Sequence, residues 1–110
     1  MLSMKSLFPL VSDAHIRSWM ERRNSTTMES AVSLKAAGKT AALEAAKEAL
    51  SNIGDSNSDD AIAREKFTRY VDAEIRSSEE LVLSEPHELD KAIYSGAVEG
   101  FKEVQQLLGL

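Results

Sequence analysis

The chain has 110 residues, enough for one domain with a single modest core. It contains no cysteine, which excludes a disulfide framework, a thiolate zinc site and a cysteine nucleophile. Residues 1–40 carry six basic and three acidic side chains, whereas residues 41–110 carry seven basic and fifteen acidic ones, for a net charge of −5. A basic first third on an acidic body indicates a polar molecule that could pair head to tail.

Residues 1–11 are predicted to form an apolar N-terminal arm, followed by a single helical domain over residues 12–110. Leu7 and Phe8 would dock this arm onto a neighbouring subunit or partner, and the alternative is an arm that folds back over the helices of its own chain. Pro9 interrupts the apolar run that a secretory signal needs, and no stretch has the length of a transmembrane helix. We therefore expect a cytoplasmic protein without a membrane partner.

A first helix is predicted over residues 13–23, with Ile16, Trp19 and Met20 on its core side. The basic residues around the tryptophan raise the hypothesis of a nucleic-acid surface formed by Arg17, Arg22 and Arg23. The acidic character of the whole chain argues against it. Nucleic acid is therefore kept only as an alternative partner.

The second helix is predicted to begin at a capping box of Thr26 and Glu29 and to end near Ile53, with Gly54 as a left-handed C-cap. Within it, the triplet Gly38-Lys39-Thr40 matches the end of a phosphate-binding loop. The position five residues before this glycine is a serine in an alanine-rich helical setting, so we do not expect phosphate binding.

Residues 55–60 are predicted to form a polar turn, and Ser58 is predicted to cap a third helix. The carboxylate spacing of this turn resembles a calcium loop, but the twelfth position is Lys66 instead of glutamate. The helix is expected to continue to residue 83, unless Ser77 and Ser78 end it early. Its predicted buried stripe consists of Ala63, Phe67, Tyr70, Val71 and Ile75 and continues through Leu81 to Leu83.

The last segment, residues 86–108, carries a helical apolar stripe with two glycines beside it. The stripe consists of Leu89, Ile93, Ala97, Phe101, Val104 and Leu108. Gly96 and Gly100 each cost roughly 1 kcal/mol relative to alanine inside a helix, so they predict either a very close backbone neighbour or a turn. We expect one continuous helix, and a hairpin at Gly96 is the alternative.

The hairpin alternative comes with a resemblance to a helical repeat. Seven residues resemble one ankyrin-type repeat, in which two short helices meet at a glycine: Leu89, Ala92, Gly96, Glu99, Phe101, Lys102 and Val104. Residues 42–50 are similar to the second helix of a tetratricopeptide repeat. Both resemblances imply a scaffold for protein binding, and neither assigns functional residues.

Catalytic and metal signatures are not found in the sequence. The two histidines, His15 and His87, are far apart and neither has a second histidine at helical spacing, so we expect surface or capping roles. Serine is frequent, but the strained elbow of a hydrolase nucleophile does not occur. We expect a protein without enzymatic activity, cofactor or metal.

These patterns predict an all-α fold of three to four antiparallel helices. The expected function is protein–protein interaction, as an adaptor, inhibitor or chaperone-like module that forms a homo-oligomer. The predicted interface consists of Leu7, Phe8, Gly96, Gly100, Phe101, Val104 and Leu108. The alternatives are a structural subunit of a larger assembly, such as a phage or secretion-system ring, and a nucleic-acid-binding regulator.

Overall fold

A computed structural model of the chain describes residues 3–23 and 31–109. These residues form four α-helices: α1 is Met4–Arg23, α2 is Ala31–Ser56, α3 is Asp60–Ser84 and α4 is Glu88–Leu108. The described residues contain no strand. The structure therefore confirms the all-α bundle.

Contacts between side chains give the direction and order of the helices. Ser18 of α1 meets Thr40 of α2, while Phe8 lies beside Lys47, so α1 and α2 are antiparallel. Arg64 near the start of α3 reaches Leu108 at the end of α4, which makes that pair antiparallel as well. The most extensive contact joins α2 and α4 at the centre, with α1 packed mainly on α2 and α3 mainly on α4.

Helix α1 starts nine residues before the predicted Asp13 and takes in most of the segment expected to be an arm. The reason is a helical stripe that crosses Pro9 without a change of period: Met4, Leu7, Val11, Ala14 and Ser18 are all buried. A proline inside a helix removes one hydrogen bond to the carbonyl four residues earlier, here that of Lys5. Pro9 and Lys5 are both exposed, so water can satisfy that carbonyl.

Helix α2 ends later than predicted, because it continues through Gly54 to Ser56. No glycine among the described residues has a positive φ, so the predicted left-handed cap at Gly54 is wrong. Side chains satisfy the last carbonyls instead. The Ser56 hydroxyl donates to the Asn52 carbonyl, and the Asn57 amide donates to that of Ile53. The predicted capping box of Thr26 and Glu29 lies outside the described residues.

Helix α3 is capped by Asp59, one residue after the predicted Ser58. Its carboxylate accepts hydrogen bonds from the amides of Ala61 at 2.9 Å and Ile62 at 3.3 Å. The helix does not end at Ser77 or Ser78, and the Ser78 side chain is buried. Of the predicted buried stripe, Tyr70 is half-buried and the other four residues up to Ile75 are buried. Its continuation through Leu81 to Leu83 is wrong, because Leu81 and Leu83 are exposed at the end of the helix.

Helix α4 is one continuous helix, which confirms the preferred prediction over the hairpin. It starts at Glu88 after an N-cap position occupied by His87, whose side chain makes no capping hydrogen bond. The stripe predicted for it is buried in its second half, at Phe101, Val104 and Leu108. Ile93 and Ala97 are half-buried and Leu89 is exposed. Gly96 and Gly100 are also buried, so both the glycines and the apolar stripe contribute to the face of α4 that contacts α2.

Candidate functional site

Three glycines bring the backbones of α2 and α4 into direct contact, and we call this contact the glycine crossing (Gly38, Gly96 and Gly100). A methyl group added at Gly38 would overlap the backbone carbonyl of Ile93, and one added at Gly96 would overlap that of Lys35. At Gly100 it would lie 2.8 Å from the Lys39 carbonyl oxygen. The close backbone neighbour that the glycines of α4 predicted is therefore α2 of the same chain.

Ion pairs line the edge of the glycine crossing. Lys35 lies 3.4 Å from Glu99, and Lys39 lies 3.4 Å from Glu103. Arg17 of α1 approaches the same Glu103 at 3.8 Å. All three pairs are partly or largely exposed, so each contributes less than about 1 kcal/mol.

The structure places most residues of the predicted interface inside the chain's own fold. Those that are buried there are Leu7, Gly96, Gly100, Phe101, Val104 and Leu108. Phe8 is exposed at the surface of α1, with the Lys47 ammonium 6.0 Å from its ring centroid. Surface for a partner is therefore offered by other side chains.

One such surface is on α1, and we call it the α1 apolar face (Ile16, Trp19 and Met20). These side chains are 50%, 48% and 53% exposed. They stand three and four residues apart, so they lie on one face of the helix. The prediction that they face the core is wrong, because the stripe through Val11, Ala14 and Ser18 occupies that side.

The sequence contains both stripes of α1, but it does not say which one is buried. A helix started at Asp13 makes the stripe through Ile16 and Trp19 the longer of the two. Extending the helix back to Met4 adds Met4 and Leu7 to the other stripe, which then runs over five positions. The signal that could have found the exposed face was therefore the apolar segment before Pro9.

The arginines proposed for nucleic-acid binding do not form one uninterrupted basic surface. Arg17 is largely exposed but lies near Glu103, and Arg22 is exposed next to the exposed Glu21. Arg23 is the last residue of α1. The basic side chains of Arg17 and Arg22 instead flank the α1 apolar face.

A second surface lies where α3 ends and α4 begins, and we call it the acidic surface (residues 77–90). This segment contains five acidic residues and neither lysine nor arginine. Leu81, Leu83 and Leu89 are exposed within it, and Leu83 is 85% exposed. The acidic surface therefore combines negative charge with large apolar side chains.

A groove of about 850 Å³ lies at the other end of the bundle, where α1 and α3 begin and α2 ends. Met4, Phe8, Leu50 and Ala63 contribute apolar wall, and the rim carries charged side chains. A methyl group added at Gly54 would meet nothing within 4 Å. The groove is wide open to solvent, so it is a shallow surface and not an enclosed pocket.

Two ionisable side chains in the interior have structural partners. The Arg64 guanidinium is buried and donates to the Leu108 carbonyl, so α3 supplies a positive charge to the C-terminal turn of α4. Burial raises the pKa of the Tyr70 phenol above its ordinary value, and the charges of Glu74 and Glu48 raise it further. Both residues lie in the contact between α3 and α4.

The two histidines are separate in the structure as in the sequence. His87 is exposed at the start of α4, and His15 is half-buried on α1 with a buried Nδ1 that makes no hydrogen bond. Within residues 3–23 and 31–109, no group of three histidine or carboxylate side chains could hold a metal ion. Over the same ranges, no helix is long and apolar enough to cross a membrane.

Comparison of the chain with models of protein families, with curated proteins and with solved structures finds no match. The resemblances to ankyrin-type and tetratricopeptide repeats therefore gain no support from a family match. The surfaces of this chain are therefore the features that bear on its function.

Proposed function

We propose that this protein is a non-enzymatic protein–protein interaction module and that its partner binds the α1 apolar face. The observation that supports the proposal is the exposure of three large apolar side chains at neighbouring positions of one helix. Exposed apolar surface that is contiguous marks interaction sites far more often than single exposed residues do. Tryptophan and flanking arginine are also the residue types that most often dominate binding energy.

The inner side of α1 supports this proposal because it holds the helix firmly. Thr40 Oγ1 donates to the Ala36 carbonyl at 2.9 Å, so the Ser18 hydroxyl donates to Thr40 Oγ1 at 2.7 Å. Leu7 and Val11 are completely buried on the same side. A face that is already ordered loses little conformational entropy on binding, which favours affinity.

The test compares immobilised baits that differ only on the surface. One bait carries Ile16→Glu with Met20→Glu, and the matched control carries Ile62→Glu, since Ile62 is an equally exposed isoleucine on α3. Circular dichroism and thermal unfolding verify that both variants keep the wild-type fold. Proteins bound from a lysate of the source cells are then quantified by mass spectrometry.

The expected result is a protein, or the chain itself, that binds wild type and the Ile62 variant equally. Its recovery on the Ile16 and Met20 variant should fall at least tenfold, because two new carboxylates would need to be desolvated at the contact. Equal recovery on all three baits would overturn the proposal that the α1 apolar face is the contact surface.

A further inference from the structure

We infer that the α1 apolar face binds the acidic surface of a second copy of this chain. The inference rests on the proposed function and names its partner. Each molecule carries both surfaces, so each can offer one to a neighbour and accept the other. The two surfaces carry opposite charge, both present apolar side chains, and they lie apart within one chain.

The charges of the two surfaces are opposite. Helix α1 carries four basic and two acidic residues, and the exposed Arg17 and Arg22 flank its apolar face. The acidic surface carries five acidic residues with no lysine or arginine, and Glu79 and Glu80 are exposed on it. Two lysines border this surface: the half-buried Lys91 lies 4.0 Å from Glu88, and Lys35 of α2 lines the same groove as Glu88. Opposite potentials steer association and suppress pairing of like surfaces.

Both surfaces also present large apolar side chains. Six of the nine large hydrophobic residues that are exposed among the described residues belong to these surfaces, three to the α1 apolar face and three to the acidic surface. Covering one set with the other removes both from water, which contributes about 25 cal/mol for each Å² of apolar area buried. A polar partner would leave these side chains without an apolar counterpart.

Within one chain the two surfaces do not cover each other. Helices α1 and α3 approach at their N-terminal ends, where the Met4 amide donates to the Asp60 carboxylate at 2.9 Å. The α1 apolar face lies in the second half of α1, and the acidic surface lies at the C-terminal end of α3. Helices α2 and α4 stand between these two flanks. The complement of each surface is therefore found on another copy.

The test is an exchange of charges between the two surfaces, measured by sedimentation velocity over a range of concentrations. The face variant carries Met20→Glu and Arg22→Glu, and the surface variant carries Glu79→Arg and Glu80→Arg. Glu44→Arg is the matched control, because Glu44 is exposed on α2 and belongs to neither surface.

Wild type and the control are expected to self-associate, more strongly at low salt than at high salt. Each of the other variants alone should associate at least tenfold more weakly. The face variant places two carboxylates on the side that meets the acidic surface, and the surface variant leaves residues 77–90 with three acidic and two basic side chains, so the charge difference between its surfaces is largely removed. An equimolar mixture of the two should recover association as a mixed pair, because the unaltered α1 apolar face of the surface variant can meet the unaltered acidic surface of the face variant. A closed pair and a longer series of copies both satisfy the inference.

Three results would overturn the inference. The first is a wild-type chain that stays monomeric at every concentration and salt. In that case the proposed function still stands if the baits retain another protein through the α1 apolar face. The second is a mixture of variants that does not recover association. The third is a face variant that associates as strongly as wild type, because self-association then does not use the α1 apolar face. The proposed function is again decided separately by the baits.

Discussion

Helix α4 makes two long contacts of different kinds, one with α2 and one with α3. Toward α2 it presents the glycine crossing, where backbone lies against backbone. Toward α3 it presents Phe101, whose ring meets Tyr70 edge to face at a centroid distance of 6.2 Å. Tyr70 in turn stacks on Phe67 at 6.1 Å. Helix α4 thus contacts α2 through closely spaced backbones and contacts α3 through buried side chains.

Because the two contacts of α4 differ in this way, they tolerate different kinds of substitution. At the glycine crossing little apolar area is present, so stability comes from many short contacts that an added methyl group would prevent. Between α3 and α4 the rings bury large areas, so the damaging change is the removal of atoms. Added volume should therefore separate the first contact, and lost volume should weaken the second.

The largest effect is expected from added volume at the glycine crossing. Gly96→Leu should lower the free energy of unfolding by about 4 kcal/mol or more, because the new side chain overlaps the Lys35 backbone and α4 must move away from α2. Urea unfolding followed by circular dichroism measures the loss. The matched control is Gly54→Leu, which makes the same change at a helical position with open space around it. Equal losses for the two variants would show that the close approach is not what the glycine serves.

Lost volume is the corresponding test of the second contact. Phe67→Ala should cost about 3–5 kcal/mol, because the completely buried ring leaves a cavity beside Tyr70 that the helices can fill only in part. Phe8→Ala is the matched control, since Phe8 is 36% exposed and its loss should cost much less. A small cost at Phe67, similar to that at Phe8, would mean that α3 and α4 are not held by their aromatic side chains.

The sequence predicted much of the fold because its strongest signals are local. The apolar period of α3, from Ala63 to Ile75, follows from residues that are close together in the chain. The single helix over residues 88–108 followed from the lack of turn-forming residues between its two glycines. Such signals need no knowledge of the neighbouring helices.

The sequence-based predictions fail where contact with a neighbouring helix determines whether a residue is buried or exposed. The triplet that begins at Gly38 matches only the end of a phosphate-binding loop in the sequence, and the position of Ile93 on another helix explains this glycine. Ile16 and Met20 are apolar, and only the packing of α1 on α2 turns them outward. The apolar stripe of α4 was visible, but its use by the core of the same chain was not. The candidate site was therefore missed because exposure is a property of the packed bundle.

A smaller effect is expected at Gly54, where the two kinds of contact are both absent. Gly54→Ala should raise the free energy of unfolding by about 0.5–1 kcal/mol, because alanine loses less backbone entropy in a helix and meets no neighbour here. Gly100→Ala is the opposite case, since its methyl group would lie 2.9 Å from the Ala42 Cβ. Thermal and urea unfolding should therefore move in opposite directions for the two substitutions. A loss at Gly54 would indicate that α2 does not remain helical there.

The smallest effect is a dependence on pH from the contact between α3 and α4. The Tyr70 phenol has an ordinary pKa of 10.0, which burial raises in the folded state. Above that pH the unfolded chain loses the proton first, so the folded state binds more protons and stability falls as pH rises through the folded pKa. Below pH 10 the contribution of the neutral phenol is fully present. It stays small because Tyr70 is only half-buried and water screens part of the charge.

Tyr70→Phe isolates this contribution, since it keeps the ring and removes the ionisable group. The difference in free energy of unfolding between wild type and this variant should be constant up to about pH 9 and should then shift against wild type above pH 10. All other ionisable groups are the same in the two proteins, so their contributions cancel in the difference. A difference that does not change with pH would place Tyr70 in water, and the aromatic contact would then reduce to Phe67 and Phe101 alone.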